Sequence, residues 1–132
     1  MDAITFRYLI SLTVSEKLDI RLMDVVVAYL YGDLDTDIYI KIPEGLTLPE
    51  AKPRSMYSII LRRALYGLKQ SGRMWYNRFS EYLSKEGYET NPICPCVLIK
   101  KFVNGFAIIT VYVDDINLIG SLEELEKKLL AI

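Results

Sequence analysis

Tyr112-Val113-Asp114-Asp115 places two adjacent carboxylates between two apolar runs, FAIITVYV and INLI. Both runs have the composition of β-strands, so the carboxylates fall at the link between them. Two like charges there repel and must stay solvated. Asp-Asp is also a poor two-residue hairpin turn, because such turns need positive φ and favour Asn or Gly. An exposed polar turn is one reading of the pair. A divalent cation is the other, since it converts repulsion into coordination, and Mg²⁺ is usually held by one or two carboxylates plus substrate phosphates. Asp24 is the natural third carboxylate. It lies in IRLMDVVV, residues 20–27, where alternation puts Ile20, Leu22 and Asp24 on one inward-looking face. A charge at such a position needs a partner, a strand end or a metal. Three carboxylates on neighbouring strands could hold two Mg²⁺ ions, an arrangement that stabilises both the attacking and the leaving oxygens in phosphoryl transfer.

The rest of the composition narrows the chemistry in the same direction. The 132 residues contain no histidine, which removes Ser-His-Asp and Cys-His nucleophile systems, His-based zinc hydrolases and His acid–base catalysis. The two cysteines stand in Cys94-Pro95-Cys96. They cannot close a four-ligand zinc site and do not have Cys-x-x-Cys redox spacing, so they read as reduced thiols near a strand, in keeping with an intracellular setting. No apolar run approaches the roughly 20 residues of a bilayer span. The first residues, MDAITFRYLI, lack the pattern of a secretory signal.

The formal net charge is −1, which at first argues against nucleic acid, but the charge is unevenly placed. Residues 52–101 hold ten basic and three acidic residues, a net of +7, and the remainder is −8. A basic middle between acidic flanks suits phosphate-binding residues beside a carboxylate site.

The elements that must position these groups are mixed helix and strand. Asp2 can cap a helix over residues 3–17 with Phe6, Leu9, Ile10 and Val14 on its apolar side. Strands are expected over residues 20–27, 38–42 and 56–62, with an acidic patch at 33–37 before the second and a proline-rich loop over 43–55 after it. Ser71 can cap a helix over 72–86 that Gly87 ends, with Trp75, Phe79, Tyr82 and Leu83 as its stripe. Strands over 97–102 and 106–113 flank Val103-Asn104-Gly105, a hairpin signal, and a third covers 116–119. Ser121-x-x-Glu124 is a capping box opening a last helix, supported by Glu123–Lys127 and Glu124–Lys128. Antiparallel hairpins rather than repeated βαβ units predict an α+β fold, one antiparallel sheet with helices on one face.

Several blocks in this order resemble the Copia-type retrotransposon reverse transcriptases. They are Met23-Asp24-Val25 with Ala28-Tyr29-Leu30-Tyr31-Gly32-Asp33-Leu34, then Ile42-Pro43-Glu44-Gly45. Leu65-Tyr66-Gly67-Leu68-Lys69-Gln70-Ser71-Gly72-Arg73 with Trp75-Tyr76 follows, and Tyr112-Val113-Asp114-Asp115 ends the series. Each block is weak alone; together they are specific and cover nearly the whole chain. Gly67 and Gly72 also have the spacing of a phosphate loop, but Arg73 and Met74 stand where a Walker motif needs Lys and Ser or Thr.

The resemblance implies a polymerase palm of the ferredoxin-like type and an RNA-directed DNA polymerase function, nucleotidyl transfer to a primer 3′-OH with two Mg²⁺ ions (Mn²⁺ as an alternative). Asp24, Asp114 and Asp115 would be the catalytic, metal-binding carboxylates. Tyr29 matches the bulky residue that crowds the sugar 2′ position, and Gln70 the glutamine of the nucleotide-pocket turn. Lys69 and Arg73 would meet phosphates ahead of a helix N-terminus. The implied partners are an RNA or DNA template-primer and deoxynucleoside triphosphates, with integrase and ribonuclease H domains in the intact polyprotein and no membrane. The resemblance further implies that residues 1–132 form a partial reverse transcriptase domain, centred on the palm, without the start of the fingers or the thumb. Apolar surface left open is expected to make such a chain prone to association. Phosphoryl transfer depends mainly on positioning, so the family function is implied without activity being assigned to these residues alone. The reading from another class is a non-catalytic nucleic-acid-binding or interaction remnant of a retrotransposon polyprotein. An unrelated palm-like nucleotidyl transferase is disfavoured by the Leu65–Gln70 block.

Overall fold

A computed structural model describes residues 3–48, 53–103, 105–121 and 125. Helix α1 (Ala3–Ser15) leads into strand β1 (Asp19–Asp24), a 3-10 turn at Ala28–Tyr31 and β2 (Asp33–Lys41). A second 3-10 turn, Arg54–Met56, precedes β3 (Ser58–Arg63), and α2 (Ser71–Lys85) follows. Strands β4 (Glu89–Thr90), β5 (Val97–Phe102), β6 (Gly105–Tyr112) and β7 (Asp115–Gly120) complete the described elements. Five strands form one antiparallel sheet in the order β1-β7-β6-β5-β4, and β2 pairs with β3 in a separate antiparallel ribbon. The mixed helix and antiparallel sheet is the expected α+β class.

The helices do not share a face. Leu9 of α1 packs with Val97, Ile108 and Ile119. Trp75, Phe79 and Leu83 of α2 pack with Leu98, Ile109 and Leu118. Ile108 pairs with Ile119 and Ile109 with Leu118 across the β6–β7 ladder, so these are opposite faces of one sheet. The expectation of helices on one face is therefore corrected. Its physical reason is that β6 and β7 are apolar on consecutive residues rather than alternate ones, and a strand buried on both faces needs cover on both.

The local boundaries shift for identifiable reasons. Strand β1 ends at Asp24 rather than 27, because the Val25 N–H turns to donate to the Asp114 carbonyl and Val27 enters the left-handed region at φ +53°. The acidic patch joins β2, with an irregularity in register between Asp33 and Ile38. Gln70, not Ser71, is the N-cap of α2. Ser71 is buried, and its hydroxyl donates to the Leu65 carbonyl at 2.6 Å, fastening the preceding loop to the helix. At the other end, Gly87 at φ +84° lets its own N–H reach Ser84 and that of Tyr88 reach Leu83, closing the helix as expected.

Of the α1 stripe only Leu9 is buried, joined by Thr13, whereas Val14 is 74% exposed. The α2 stripe holds for Trp75, Phe79 and Leu83, with Tyr82 exposed. Asp2, Asn104, Glu123, Glu124, Lys127 and Lys128 lie outside the described residues; Leu125 is helical, buried, and packed into the α2-side core.

Candidate active site

The sheet brings the sequence-distant carboxylates to one end. Asp24 is the last residue of β1 and pairs directly with Asp115, the first residue of β7. Asp115 in turn pairs with Tyr112, the last residue of β6. The tight turn is therefore Val113-Asp114, and Asp115 belongs to the strand. Only Val113 of these two has positive φ, +56°, so one residue carries the positive-φ demand of the tight turn. The conformational demand that Asp-Asp meets poorly thus falls on a valine.

Asp24 and Asp115 are exposed and Asp114 half-buried. The inward-facing position expected for Asp24 is corrected: β1 is an edge strand, and Leu22 on the same face is 75% exposed. What singles out Asp24 is register, not burial. Like charges directly opposed across a ladder destabilise it, and the same face bears a shallow hollow of about 500 Å³ lined by Phe6, Leu22, Tyr112, Asp115 and Asn117.

Two aromatic residues hold the turn. The Trp75 indole Nε1–H donates to the Val113 carbonyl at 2.8 Å. The Tyr66 hydroxyl donates to Asp114 Oδ1 at 2.7 Å. That hydrogen bond, then desolvation, raises the Tyr66 phenol above its ordinary value of 10.0. Tyr66 also stacks on Tyr29, with ring centroids 4.4 Å apart and planes at 24°. Tyr29 is half-buried, with its hydroxyl tip facing Gly72. Sequence alone assigns Tyr66 no role, although it stands within the Leu65–Arg73 block. The available signal was an aromatic ring with a polar tip immediately before a glycine that adopts φ +96°.

The other expected site residues surround this end less tightly. Gln70 caps α2 through its carbonyl, which accepts the Met74 N–H at 3.0 Å, and its side chain makes no cap bond. Lys69 is exposed in the loop before α2. Arg73 is engaged with Asp35 at 2.8 Å, and Arg63 and Arg78 both bond Asp33, so the acidic start of β2 neutralises part of the basic middle of the chain. These ion pairs are solvent-exposed and individually weak.

The donor chemistry suits a hard divalent cation, since every carboxylate at this end offers oxygen ligands. The side chains do not yet form a cage: among the described residues no three Asp, Glu or Cys groups converge closely enough to hold an ion. Asp24 and Asp115 face each other, whereas Asp114 is bonded to Tyr66.

Helices packed on an antiparallel sheet, with a Tyr-Val-Asp-Asp turn against a strand-end aspartate, define a carboxylate-bearing α+β domain. Residues 2–130 match the family model described as reverse transcriptase (RNA-dependent DNA polymerase), and the chain belongs to that family. It is 36% identical over 126 residues to the retrovirus-related Pol polyprotein from transposon TNT 1-94 of Nicotiana tabacum, covering 95% of this chain and 9% of that protein. It is 33% identical over 117 residues to the Pol polyprotein from transposon RE1 of Arabidopsis thaliana, covering 89% and 8%. It is 34% identical over 122 residues to the Ty1-DR5 Gag-Pol polyprotein of Saccharomyces cerevisiae, covering 92% and 6%. These relatives place it with the Copia-type reverse transcriptases, and the chain spans less than a tenth of their length. No solved structure matches. Among the described residues no helix is long and apolar enough to cross a membrane.

Proposed function

We propose that this chain carries the palm of an RNA-directed DNA polymerase of the Copia type, with Asp24, Asp114 and Asp115 as its catalytic carboxylates. The observation that supports it most is the direct pairing of Asp24 with Asp115, which joins two motifs far apart in sequence at one end of the sheet. Asp24 and Asp115 keep negative charge exposed at strand ends, and the Val113 turn carries Asp114 beside them. When bound there, Mg²⁺ or Mn²⁺ would supply Lewis-acid stabilisation of the attacking and leaving oxygens. In this reading Tyr29 is the residue that crowds the 2′ position of an incoming nucleotide, favouring deoxynucleoside triphosphates, and Gln70 at the start of α2 is the second nucleotide contact. Lys69 contacts phosphate from the loop. Arg73 does so by exchanging its Asp35 partner for a phosphate oxygen. The template-primer and the remaining polyprotein domains are the partners of this reading.

Primer extension on an RNA template with deoxynucleoside triphosphates and Mg²⁺ tests it, comparing the chain with Asp24→Asn and Asp115→Asn. Extension that falls at least about a hundredfold in both variants is the expected result, the scale of loss of a transition-state electrostatic contact. Extension indifferent to both substitutions overturns the site. Salt-sensitive template-primer binding with no extension in any of the three proteins favours a non-catalytic binding remnant instead.

A further inference from the structure

Among the described residues, Asp114 is the carboxylate at this end of the sheet that is held by a side-chain hydrogen bond. It accepts the Tyr66 hydroxyl at 2.7 Å, while Asp115, the next residue along the chain, opposes Asp24 across the β1–β7 ladder. Tyr66 does not stand alone. Its ring stacks on Tyr29 at 4.4 Å, and Gly67 at φ +96° turns the backbone that presents it. The Ser71 hydroxyl anchors the same loop through the Leu65 carbonyl. The phenol is therefore delivered by a fastened loop and a stacked ring rather than by a free side chain.

We propose that Tyr66 is a latch on Asp114: its hydroxyl competes with a divalent cation for that carboxylate, and the stack on Tyr29 keeps the latch closed. This rests on the reading of Asp24, Asp114 and Asp115 as cation ligands. A carboxylate oxygen that accepts a charge-assisted hydrogen bond must weaken or surrender it to coordinate a cation fully. The stacking partner is the residue placed beside the nucleotide, so displacement of the Tyr29 ring would loosen Tyr66 and release Asp114 towards the opposed pair. Tyr66 acts through Asp114 and is a positioning residue, not a catalytic one.

Mn²⁺ binding to the 132-residue chain, read by electron paramagnetic resonance of the free ion, tests this without any turnover. Tyr66→Phe keeps the ring and its stack and removes only the donor. It is expected to bind Mn²⁺ about three- to tenfold more tightly, the range expected when one exposed charge-assisted hydrogen bond no longer competes. Tyr29→Leu, which removes the stacking partner, is expected to tighten binding by a smaller factor. Adding Asp114→Asn to Tyr66→Phe is expected to erase the gain. Circular dichroism establishes that each variant is folded. Unchanged or weaker Mn²⁺ binding in Tyr66→Phe overturns the latch, while a loss in Asp24→Asn and Asp115→Asn still upholds the carboxylate reading. Mn²⁺ binding that ignores Asp24→Asn and Asp115→Asn removes the carboxylate reading, and the latch falls with it.

Discussion

The indole Nε1–H of Trp75 donates to the Val113 carbonyl at 2.8 Å, which ties the first turns of α2 to the turn that carries Asp114. Trp75 is almost fully buried and stacks on Phe79 with centroids 5.2 Å apart. Its apolar body thus belongs to the core and its polar tip to the site. Trp75→Phe preserves an aromatic ring for the stack and deletes the donor. It is expected to destabilise the chain by about 1–3 kcal/mol, combining one lost hydrogen bond with a partly collapsed space. Urea unfolding followed by circular dichroism measures this, and a change below about 0.5 kcal/mol would show that the indole does not hold the turn.

Val113 adopts φ +56°, and a β-branched side chain in the left-handed region costs about 1–2 kcal/mol. Asn tolerates that region and adds little backbone entropy to the unfolded chain. Val113→Asn is therefore expected to stabilise the protein by about 1 kcal/mol. The side chain is 39% exposed, so little packing is lost. A destabilised variant in the same unfolding assay would mean that Val113 contributes more through contacts than it costs through its backbone.

Much of the fold was legible because its signals are local. The apolar runs of β5, β6 and β7 and the Gly87 stop of α2 each follow from neighbouring residues, and the structure places them within a residue or two. The helix-bearing faces were not legible, since consecutive apolar residues in β6 do not reveal that both sides of the sheet are covered. Asp24 was picked out for an inward position that the exposed edge strand does not give it. Its pairing with Asp115 is a matter of long-range register, which no alternation within β1 specifies. The hydrogen bonds from Tyr66 and Trp75 were hidden for the same reason: both link α2 or its preceding loop to a turn much later in the chain.

The direct opposition of Asp24 and Asp115 predicts a repulsion measurable without substrate. Like charges across an antiparallel pair cost a few tenths to about 1 kcal/mol. Asp115→Asn is expected to stabilise the chain by about that much at low ionic strength. Because both residues are exposed, the gain should shrink as salt rises from about 0.01 M to 1 M, where the screening length falls to about 3 Å. A gain independent of salt would assign the effect to something other than charge.

Glu81 and Lys85 give a pH-dependent contribution of known sign. The hydrogen bond from Lys85 to Glu81 at 2.7 Å, followed by the ammonium charge, lowers the Glu81 carboxyl below its ordinary value of 4.5. A depressed folded-state value means that the contribution is fully present above about the unfolded value. It is lost as pH falls through the folded one. Lys85→Met is therefore expected to destabilise the protein slightly at pH 7 and not at pH 2. Urea midpoints of the two proteins should converge across that acidic window; a difference that persists at pH 2 would trace to packing of the Lys85 chain rather than to the ion pair.

Gly32 is where the 3-10 turn at Ala28–Tyr31 meets α2, and the contact leaves no room for a side chain. A Cβ there would lie 2.9 Å from the Met74 Cβ and 2.9 Å from the Trp75 backbone nitrogen. Its backbone is ordinary, at φ −75°, so the demand for glycine is steric rather than conformational. Its N–H donates to the Tyr29 carbonyl at 3.0 Å and its carbonyl accepts the Ala64 N–H at 2.9 Å, so Gly32 cannot back away from α2 without straining these bonds. Gly32→Ala is expected to cost about 2–3 kcal/mol, at the upper end for an overpacked site because helix backbone must move. Gly72 provides the control. A Cβ there meets only the tip of Tyr29, its hydroxyl at 3.4 Å and Cζ at 3.8 Å, and Ala in a helix gains about 0.5–1 kcal/mol over Gly. Gly72→Ala should therefore raise the urea midpoint while Gly32→Ala lowers it. Because α2 carries Trp75 against the Val113 turn, Gly32→Ala should also shift the emission of Trp75, the single tryptophan of the chain. Equal effects of the two substitutions would mean that the 3-10 turn does not seat against α2 at Gly32.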